Sequence, residues 1–149
     1  MQKTYYADFG VFAHFLKNDL VEFDIPENIS IQLETDFSKY SDYDDDNWDG
    51  LESLIKYKNE TDKFFVIKEN DEFCGYLMAN SSYKNIYDIA NVFVSEKYRG
   101  KNYGAYLTSC FAKYCYENNL VPHYGTAISE YSEAVAKKCG FKESYRQHY

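Results

Sequence analysis

Residues 92–104 have the composition of a junction that could bind phosphate. An apolar, strand-like run passes through a short loop with glycine into a helix-like repeat. Backbone N–H groups converge at such a junction, and the positive end of the helix dipole favours anions there. Lys97, Arg99 and Lys101 add three cations. An ordinary strand-to-helix turn with a solvated basic edge explains these residues equally well, because a short loop with glycine is a weak signal.

Asp88 is an acid inside the apolar, strand-like run of residues 86–90. Burial in such a run would raise the pKa of its carboxyl group and suit it to act as a general base. Because successive strand residues point to opposite faces, Asp88 could equally be an ordinary carboxylate that faces solvent. Both interpretations remain open from the sequence.

Length and composition indicate one folded domain. The chain has 149 residues, 45% of them apolar, with 17 Tyr and 11 Phe. That is too apolar and too aromatic for a disordered chain. Its apolar runs fall short of the roughly 18 residues that span a membrane, and its start lacks the pattern of a signal peptide. We therefore expect a soluble, cytoplasmic protein.

The charge and the metal-ligating residue types exclude some functions. A formal net charge of −8 disfavours nucleic-acid binding and suits a cationic partner, although solubility alone also explains it. The four cysteines and three histidines lack ligand spacing, so we expect buried apolar cysteines and no metal site. Residues 45–56 partly match a calcium loop, but the twelfth position is Lys56 instead of Glu, which argues against calcium.

Hydrophobic periodicity predicts an α/β (α+β) domain with a mixed central sheet covered by helices. The predicted elements are a helix over 9–23, a strand over 29–33, a loop and helix over 36–58, a hairpin over 64–78, a strand over 86–94, a helix over 105–115, a strand over 121–128, a helix from Ser129 capped by Gly140, and a strand over 141–149.

The loop at 99–104 resembles the pyrophosphate loop of the GNAT superfamily of acetyl-CoA-dependent N-acetyltransferases. That loop has the form Gln/Arg-x-x-Gly-x-Gly/Ala and lies between the family's fourth strand and third helix. Arg99 and Gly104 match its ends, and Asn102 stands where the middle glycine is usual. Asn is the non-glycine residue that best tolerates positive φ, so the turn can form with Asn102.

A second segment, residues 129–141, resembles the superfamily's Asn-x-x-Ala/Ser-(x)7-Gly-Phe motif. Ser132, Gly140 and Phe141 fit it, while Ser129 replaces Asn. Residues 121–124 are also similar to a Pro-x-Trp element of members related to antibiotic-resistance acetyltransferases. The resemblance covers residues 64–141, the cofactor-binding core. Residues 1–63, including an N-terminal helical segment over 1–25, match by element order alone.

The resemblance implies a single GNAT-like domain over 1–149, with six to seven strands splayed between the fourth and the fifth. Acetyl-CoA would lie in that splay, its pantetheine held by backbone groups of the fourth strand and by Ser129, and its pyrophosphate held by N–H groups of the loop. The implied cofactor-binding residues are Phe93, Val94, Arg99, Gly100, Lys101, Asn102, Tyr103, Gly104, Ser129 and Ser132.

The resemblance also implies catalytic roles. Many members place an acid eleven positions before the first loop residue, and Asp88 occupies that position as the implied general base or the group that positions its water. The family's usual tyrosine, the general acid for the leaving thiolate, falls on Ala136. Tyr131, Tyr145 or water remain as alternatives.

The implied reaction moves an acetyl group from acetyl-CoA to a primary amine of a small cationic molecule or a protein, by a monomer or a homodimer without a metal. A longer acyl group is a second possibility. The alternative from another class is a non-catalytic module whose acidic surface binds a basic partner. The acidic residues 42–52, with Trp48, are either a solvated loop or a rim for a cationic acceptor.

Overall fold

A computed structural model describes residues 8–13, 16–40, 59–127 and 129–148. Seven strands form one mixed sheet in the order β2-β3-β4-β5-β6-β1-β7. Their bounds are β1 Asp8–Ala13, β2 Ile29–Glu34, β3 Lys63–Glu69, β4 Glu72–Tyr83, β5 Ile86–Val94, β6 Val121–Ala127 and β7 Lys142–His148. The predicted fold class, a mixed sheet of six to seven strands with flanking helices, is confirmed.

An α-helix follows each of the strands β5 and β6, as the sequence predicted. Helix α1 is Tyr103–Glu117 and helix α2 is Glu130–Lys138. The end of α2 confirms the predicted glycine cap, because Gly140 has φ 96°. The N–H of Phe141 donates to the carbonyl of Ala136 at 3.0 Å, and the N–H of Gly140 donates to that of Lys137 at 3.1 Å. These two bonds are a Schellman motif.

The helix predicted over residues 9–23 is wrong. Asp8–Ala13 is strand β1, and Lys17–Asp19 is a 3-10 turn. Strand β1 lies between β6 and β7, and Val11, Phe12 and Ala13 are all buried. A strand that is buried on both faces lacks the alternation of apolar and polar residues that identifies a strand. The apolar run of β1 therefore resembles the buried face of a helix.

The core has two parts, one on each face of the sheet. Both helices pack on one face, where Leu107 and Phe111 of α1 meet Phe65. The 3-10 turn Phe37–Tyr40 packs on the other face, where Phe37 stacks on Phe64 with ring centroids 4.1 Å apart. Neighbouring strand residues therefore divide between the two faces, as the pleat requires.

The sheet opens between β5 and β6. These strands are parallel and pair over three positions, which join residues 86–88 to residues 121–123. Strand β5 then continues to Val94 and β6 to Ala127 without further pairing to each other, so a wedge-shaped gap, here called the cleft, separates them in this described part of the sheet. The splay expected from the resemblance is confirmed.

Several sequence predictions lie outside the described residues. They are the helix ending at residue 58, the acidic stretch 42–52 and the rejected calcium loop 45–56. Among the described residues, no group of three or more metal-ligating side chains comes together, and no helix there has the length and apolarity that would cross a membrane. Cys74, Cys115 and Cys139 are buried free thiols and Cys110 is half-buried.

A candidate cofactor cleft with an Asp–His pair at its apex

The loop at 99–104, here called the phosphate loop, has the backbone of an anion site. Gly100 and Asn102 have φ of 82° and 68°, so they lie in the left-handed region. Asn102 is the residue before the first turn of α1, whose N–H groups have no acceptor within the helix. Turns of this kind direct successive N–H groups toward one point at the positive end of the dipole. The positive φ expected of Asn102 is confirmed.

The three cations of the loop do not all face that point. The Nζ of Lys97 lies 3.6 Å from Glu72, and the Nζ of Lys101 lies 3.1 Å from Glu69. The Nε of Arg99 donates to the carbonyl of Val94 at 2.9 Å. Spacing alone could not reveal these partners, because both glutamates come from the distant β3–β4 hairpin. Lys97 and Lys101 thus have partners on the hairpin, whereas Arg99 lies at the cleft.

Glu69 is held ionised by its neighbours. Hydrogen bonds from Tyr103 and then from Lys101 lower the pKa of its carboxyl group. Because Glu69 stays charged, it keeps Lys101 on the hairpin side of the phosphate loop. The side chain of Lys101 therefore braces the loop, while its backbone N–H remains part of the turn.

Helix α2 supplies a further cation beside the phosphate loop. The Nζ of Lys138 donates to Oδ1 of Asn102 at 2.6 Å. Lys138 also lines a cavity of about 250 Å³ between the phosphate loop and α2, together with Gly100 and Tyr131. Neither of the two sequence motifs includes Lys138 among its matching positions. Its position at the end of α2, beside the Gly-Phe motif, was the available signal.

Strand β5 turns some of its backbone groups into the cleft. The N–H of Ser95 donates to the carbonyl of Cys74, and antiparallel partners alternate between bonded and non-bonded pairs. Phe93 therefore bonds toward β4, which agrees with its carbonyl oxygen lying 2.3 Å from where a Cβ on Gly75 would be. Val94 faces the cleft instead, where Arg99 meets its carbonyl. The same alternation directs the backbone groups of Val92 into the cleft.

A larger cavity of about 530 Å³ lies against this edge of β5. Its lining residues are Val92, Phe93, Val94, Arg99, Gly100 and Tyr131. Tyr131 thus borders both cavities, and its hydroxyl oxygen lies 2.8 Å from where a Cβ on Gly104 would be. Tyr145 lies on β7, the edge strand two positions beyond β6, so of these two tyrosines only Tyr131 lines the cavities.

Ser129 and Ser132 form the N-terminal cap of α2. The Oγ of Ser129 accepts from the N–H of Ser132 at 3.1 Å, and the two hydroxyl groups lie 2.9 Å apart. Ser is a preferred N-cap residue. The structure therefore gives Ser129 a local role beside the cleft, which the resemblance alone did not indicate.

Asp88 lies at the apex of the cleft, paired with a histidine that sequence reasoning set aside. It is opposite His123 in the last of the three parallel pairs. The Oδ1 of Asp88 lies 2.5 Å from Nδ1 of His123, and both side chains are about one-quarter exposed. Tyr87 and Ile89 belong to the helix-side core, so Asp88 between them points to the opposite face. Periodicity could not reveal the pair, which joins residues from two strands.

This site belongs to a known family. The family model described as the acetyltransferase (GNAT) family matches residues 25–141. The chain therefore belongs to the acetyltransferase (GNAT) family, as the two motifs predicted. No curated protein sequence matches it significantly.

Solved structures share the fold at low sequence identity. A GCN5-related N-acetyltransferase-like protein from Streptococcus suis is 16% identical, with a TM-score of 0.70; the match covers 97% of this chain and 60% of that chain. The chain thus spans less than two-thirds of that relative.

Two further structures are covered more fully. The ribosomal-protein-S18-alanine N-acetyltransferase from Escherichia coli is 14% identical, with a TM-score of 0.64, over 78% of this chain and 79% of that one. AAC(6')-Iy, solved with the bisubstrate analogue CoA-S-monomethyl-acetylneamine, is 14% identical, with a TM-score of 0.57, over 80% and 94%. At this level of sequence identity, these similarities show a shared fold.

Proposed function

We propose that the protein transfers an acetyl group from acetyl-CoA to a primary amine of a cationic acceptor. The observation that carries this proposal is the cleft between β5 and β6. It opens beyond the third pair of a parallel ladder, and its mouth is bordered by the phosphate loop and the first turn of α1. Such a cleft can bind an anion at its mouth and an extended part of the same ligand along β5.

Different residues would bind different parts of the cofactor. N–H groups of residues 100–104 would hold the pyrophosphate, since the N–H of Arg99 donates to the carbonyl of Glu96. Lys138, which donates to Asn102, would add a cation beside them. Backbone groups of Val94 and Val92 would bond the pantetheine arm as a further strand would, and Phe93 would supply apolar contact. Ser129 and Ser132 would keep the start of α2 against the arm.

The chemistry needs a neutral amine at the thioester carbonyl. Asp88 lies six residues before Val94 on the same strand, roughly 20 Å at the rise of a strand. The phosphate loop and the carboxylate are therefore at opposite ends of the cleft, so the reacting end of an extended cofactor would point toward Asp88. Asp88 would remove the proton of the acceptor directly or through a group that it holds.

Support for a cationic acceptor comes from charge. The chain carries a net charge of −8, and residues 42–52 concentrate six acids beside Trp48. That segment follows the 3-10 turn Phe37–Tyr40, which packs on the face of the sheet to which Asp88 points. Acidic residues near an acceptor site would raise the local concentration of cations.

Calorimetry with acetyl-CoA, followed by an acetylation screen over polyamines, aminoglycosides, amino acids and basic peptides, tests the proposal. We expect micromolar acetyl-CoA binding and turnover with at least one cationic amine. Binding of acetyl-CoA without turnover of any amine would favour the non-catalytic module, and a lack of binding would contradict the proposal outright. A parallel series with longer acyl-CoA thioesters would define the acyl group.

A further inference from the structure

The Asp88–His123 pair has the arrangement of a catalytic dyad. The carboxylate contacts Nδ1 at 2.5 Å, which leaves Nε2 as the ring nitrogen available to a substrate. A carboxylate at Nδ1 fixes the tautomer with hydrogen on Nδ1 and the lone pair on Nε2, and it stabilises the imidazolium that forms when Nε2 takes a proton. Asp88 alone would lack that second nitrogen.

Both side chains face the side of the sheet away from the two helices. Tyr124 packs in the helix-side core, so its neighbour His123 points to the opposite face, as Asp88 does. The 3-10 turn Phe37–Tyr40 covers part of that face. The dyad thus lies where the two strands separate and on the side away from α1 and α2.

A glycine on β6 makes room for the carboxylate. A Cβ on Gly125 would lie 3.0 Å from Oδ1 of Asp88, so the carboxylate leans across the opening of the cleft toward β6. The missing side chain at Gly125 leaves space for the carboxylate, and the bond to His123 holds it there. The exposure of each side chain, 26% for Asp88 and 27% for His123, keeps the pair accessible.

We propose that His123 is the catalytic base of the acetyl transfer and that Asp88 is its positioning residue. This inference rests on the proposed function and names the atom, Nε2 of His123, that takes the proton. A bound ammonium group gives one proton to Nε2 and becomes the neutral amine. Its nitrogen then forms a bond to the thioester carbonyl carbon.

The remaining steps balance the reaction. The tetrahedral intermediate collapses, the C–S bond breaks, and the sulfur leaves with the electron pair as a thiolate. The imidazolium of His123 returns its proton to that thiolate, and the second N–H proton of the acetylated nitrogen goes to solvent. The products are the amide, free CoA thiol and one proton, and His123 is neutral again.

A double-mutant cycle separates this proposal from a carboxylate that acts alone. The variants are His123→Gln, Asp88→Asn and the two combined, with His148→Gln on β7 as the matched histidine control. Turnover is measured with acetyl-CoA and the best amine from the screen. We expect His123→Gln to lower kcat by about 10² to 10⁴-fold, and the combined variant to lose little more than that single variant, because groups that act as a unit are not additive.

Acetyl-CoA affinity by calorimetry and the circular-dichroism spectrum should stay unchanged in all four variants, which excludes loss of folding. Nitrogen-15 NMR gives a readout independent of turnover: wild-type His123 should carry its proton on Nδ1, and Asp88→Asn should shift that signal. Full activity of His123→Gln, or a proton on Nε2 in the neutral wild type, overturns the dyad. An inactive wild type would instead contradict the proposed function itself.

Discussion

The Nζ of Lys138 donates to the side-chain oxygen of Asn102 at 2.6 Å, which ties the end of α2 to the start of α1. Asn102 has φ 68°, a left-handed conformation that is strained for a residue with a Cβ. The bond from Lys138 helps to hold it in that conformation. It also places a cation at the phosphate loop, while Lys97 and Lys101 are paired with glutamates.

Replacing Lys138 should weaken cofactor binding. We expect Lys138→Gln to lower acetyl-CoA affinity about fivefold, or roughly 1 kcal/mol, because an exposed cation contributes only modestly to the binding free energy of an anion. The deficit should shrink as salt rises, because screening acts on exposed charges. Calorimetry at two salt concentrations measures both effects. Lys137→Gln, an exposed neighbour on α2, is the matched control, and equal losses in the two variants would contradict a role for Lys138.

Substitutions at Gly104 separate size from charge at the phosphate loop. The nearest obstacle to a Cβ is the hydroxyl of Tyr131 at 2.8 Å, the far end of an exposed side chain that can move. Gly104→Ala should therefore bind acetyl-CoA almost as the wild type does. Gly104→Glu should bind at least tenfold more weakly, about 1.4 kcal/mol, because a carboxylate repels the pyrophosphate.

The isosteric variant Gly104→Gln shows how much of that loss is charge. Its affinity should fall between those of the alanine and glutamate variants. Calorimetry gives the three affinities, and thermal unfolding verifies the fold. If all three variants matched the wild type, the phosphate loop would not be the pyrophosphate site.

A buried carboxylate on β2 should make stability depend on pH. Burial alone would raise the pKa of Glu34, but hydrogen bonds from Lys39, Tyr40 and Gln32 outweigh it, and the pKa is lowered. A lowered pKa means that the stabilisation is complete above the unfolded-state pKa, near 4.3, and is lost as pH falls through the folded-state pKa.

Urea unfolding of Glu34→Gln tests this linkage. At pH 7 the variant should be less stable than the wild type by about 1–2 kcal/mol, because it removes a charged acceptor from a buried hydroxyl and an ammonium group. Below pH 4 the difference should narrow as Glu34 of the wild type becomes protonated. If the difference in unfolding free energy between the variant and the wild type were the same at all pH values, Glu34 would not be the source of the pH dependence.

The acidic segment should affect the acceptor and the cofactor in opposite directions. Changing Asp44, Asp45 and Asp46 to Asn should raise the Michaelis constant of a cationic acceptor and leave that of anionic acetyl-CoA equal or lower. The acceptor constant should also rise with salt, over distances near the Debye length of about 8 Å.

A matched triple variant removes the same charge elsewhere. Glu22, Asp24 and Glu27 are exposed on a segment that packs toward α1, on the helix side of the sheet. Their conversion to amides should leave both Michaelis constants unchanged. Unchanged constants in the Asp44, Asp45 and Asp46 variant would mean that the acidic segment serves only solubility.

The sequence predicted those features that are local. The left-handed Asn102, the glycine cap at Gly140 and the helix after the phosphate loop depend on residues within one turn of each other, and each is confirmed. The strand over residues 8–13 could not be predicted, because its apolar run is explained only by neighbours more than a hundred positions away.

Side-chain partners from distant parts of the chain could not be predicted for the same reason. The bond of Lys138 to Asn102 and the bond of His123 to Asp88 span 36 and 35 positions. Such pairs depend on the register of strands and on the packing of one helix against another. Composition and periodicity carry no information about either.

The position of β1 constrains the order in which the sheet can assemble. Strands β2 to β5 are neighbours in both sequence and space, so they can pair soon after synthesis. Strand β1 precedes β2 to β5 in the sequence but pairs with β6 and β7, whose residues lie more than a hundred positions later. The apolar residues of β1 therefore stay unpaired until β6 and β7 have been synthesised, which delays folding and exposes a β-prone run to aggregation. In pulse-labelling hydrogen exchange, amides of residues 8–13 should gain protection together with those of β7 and after those of β3 and β4.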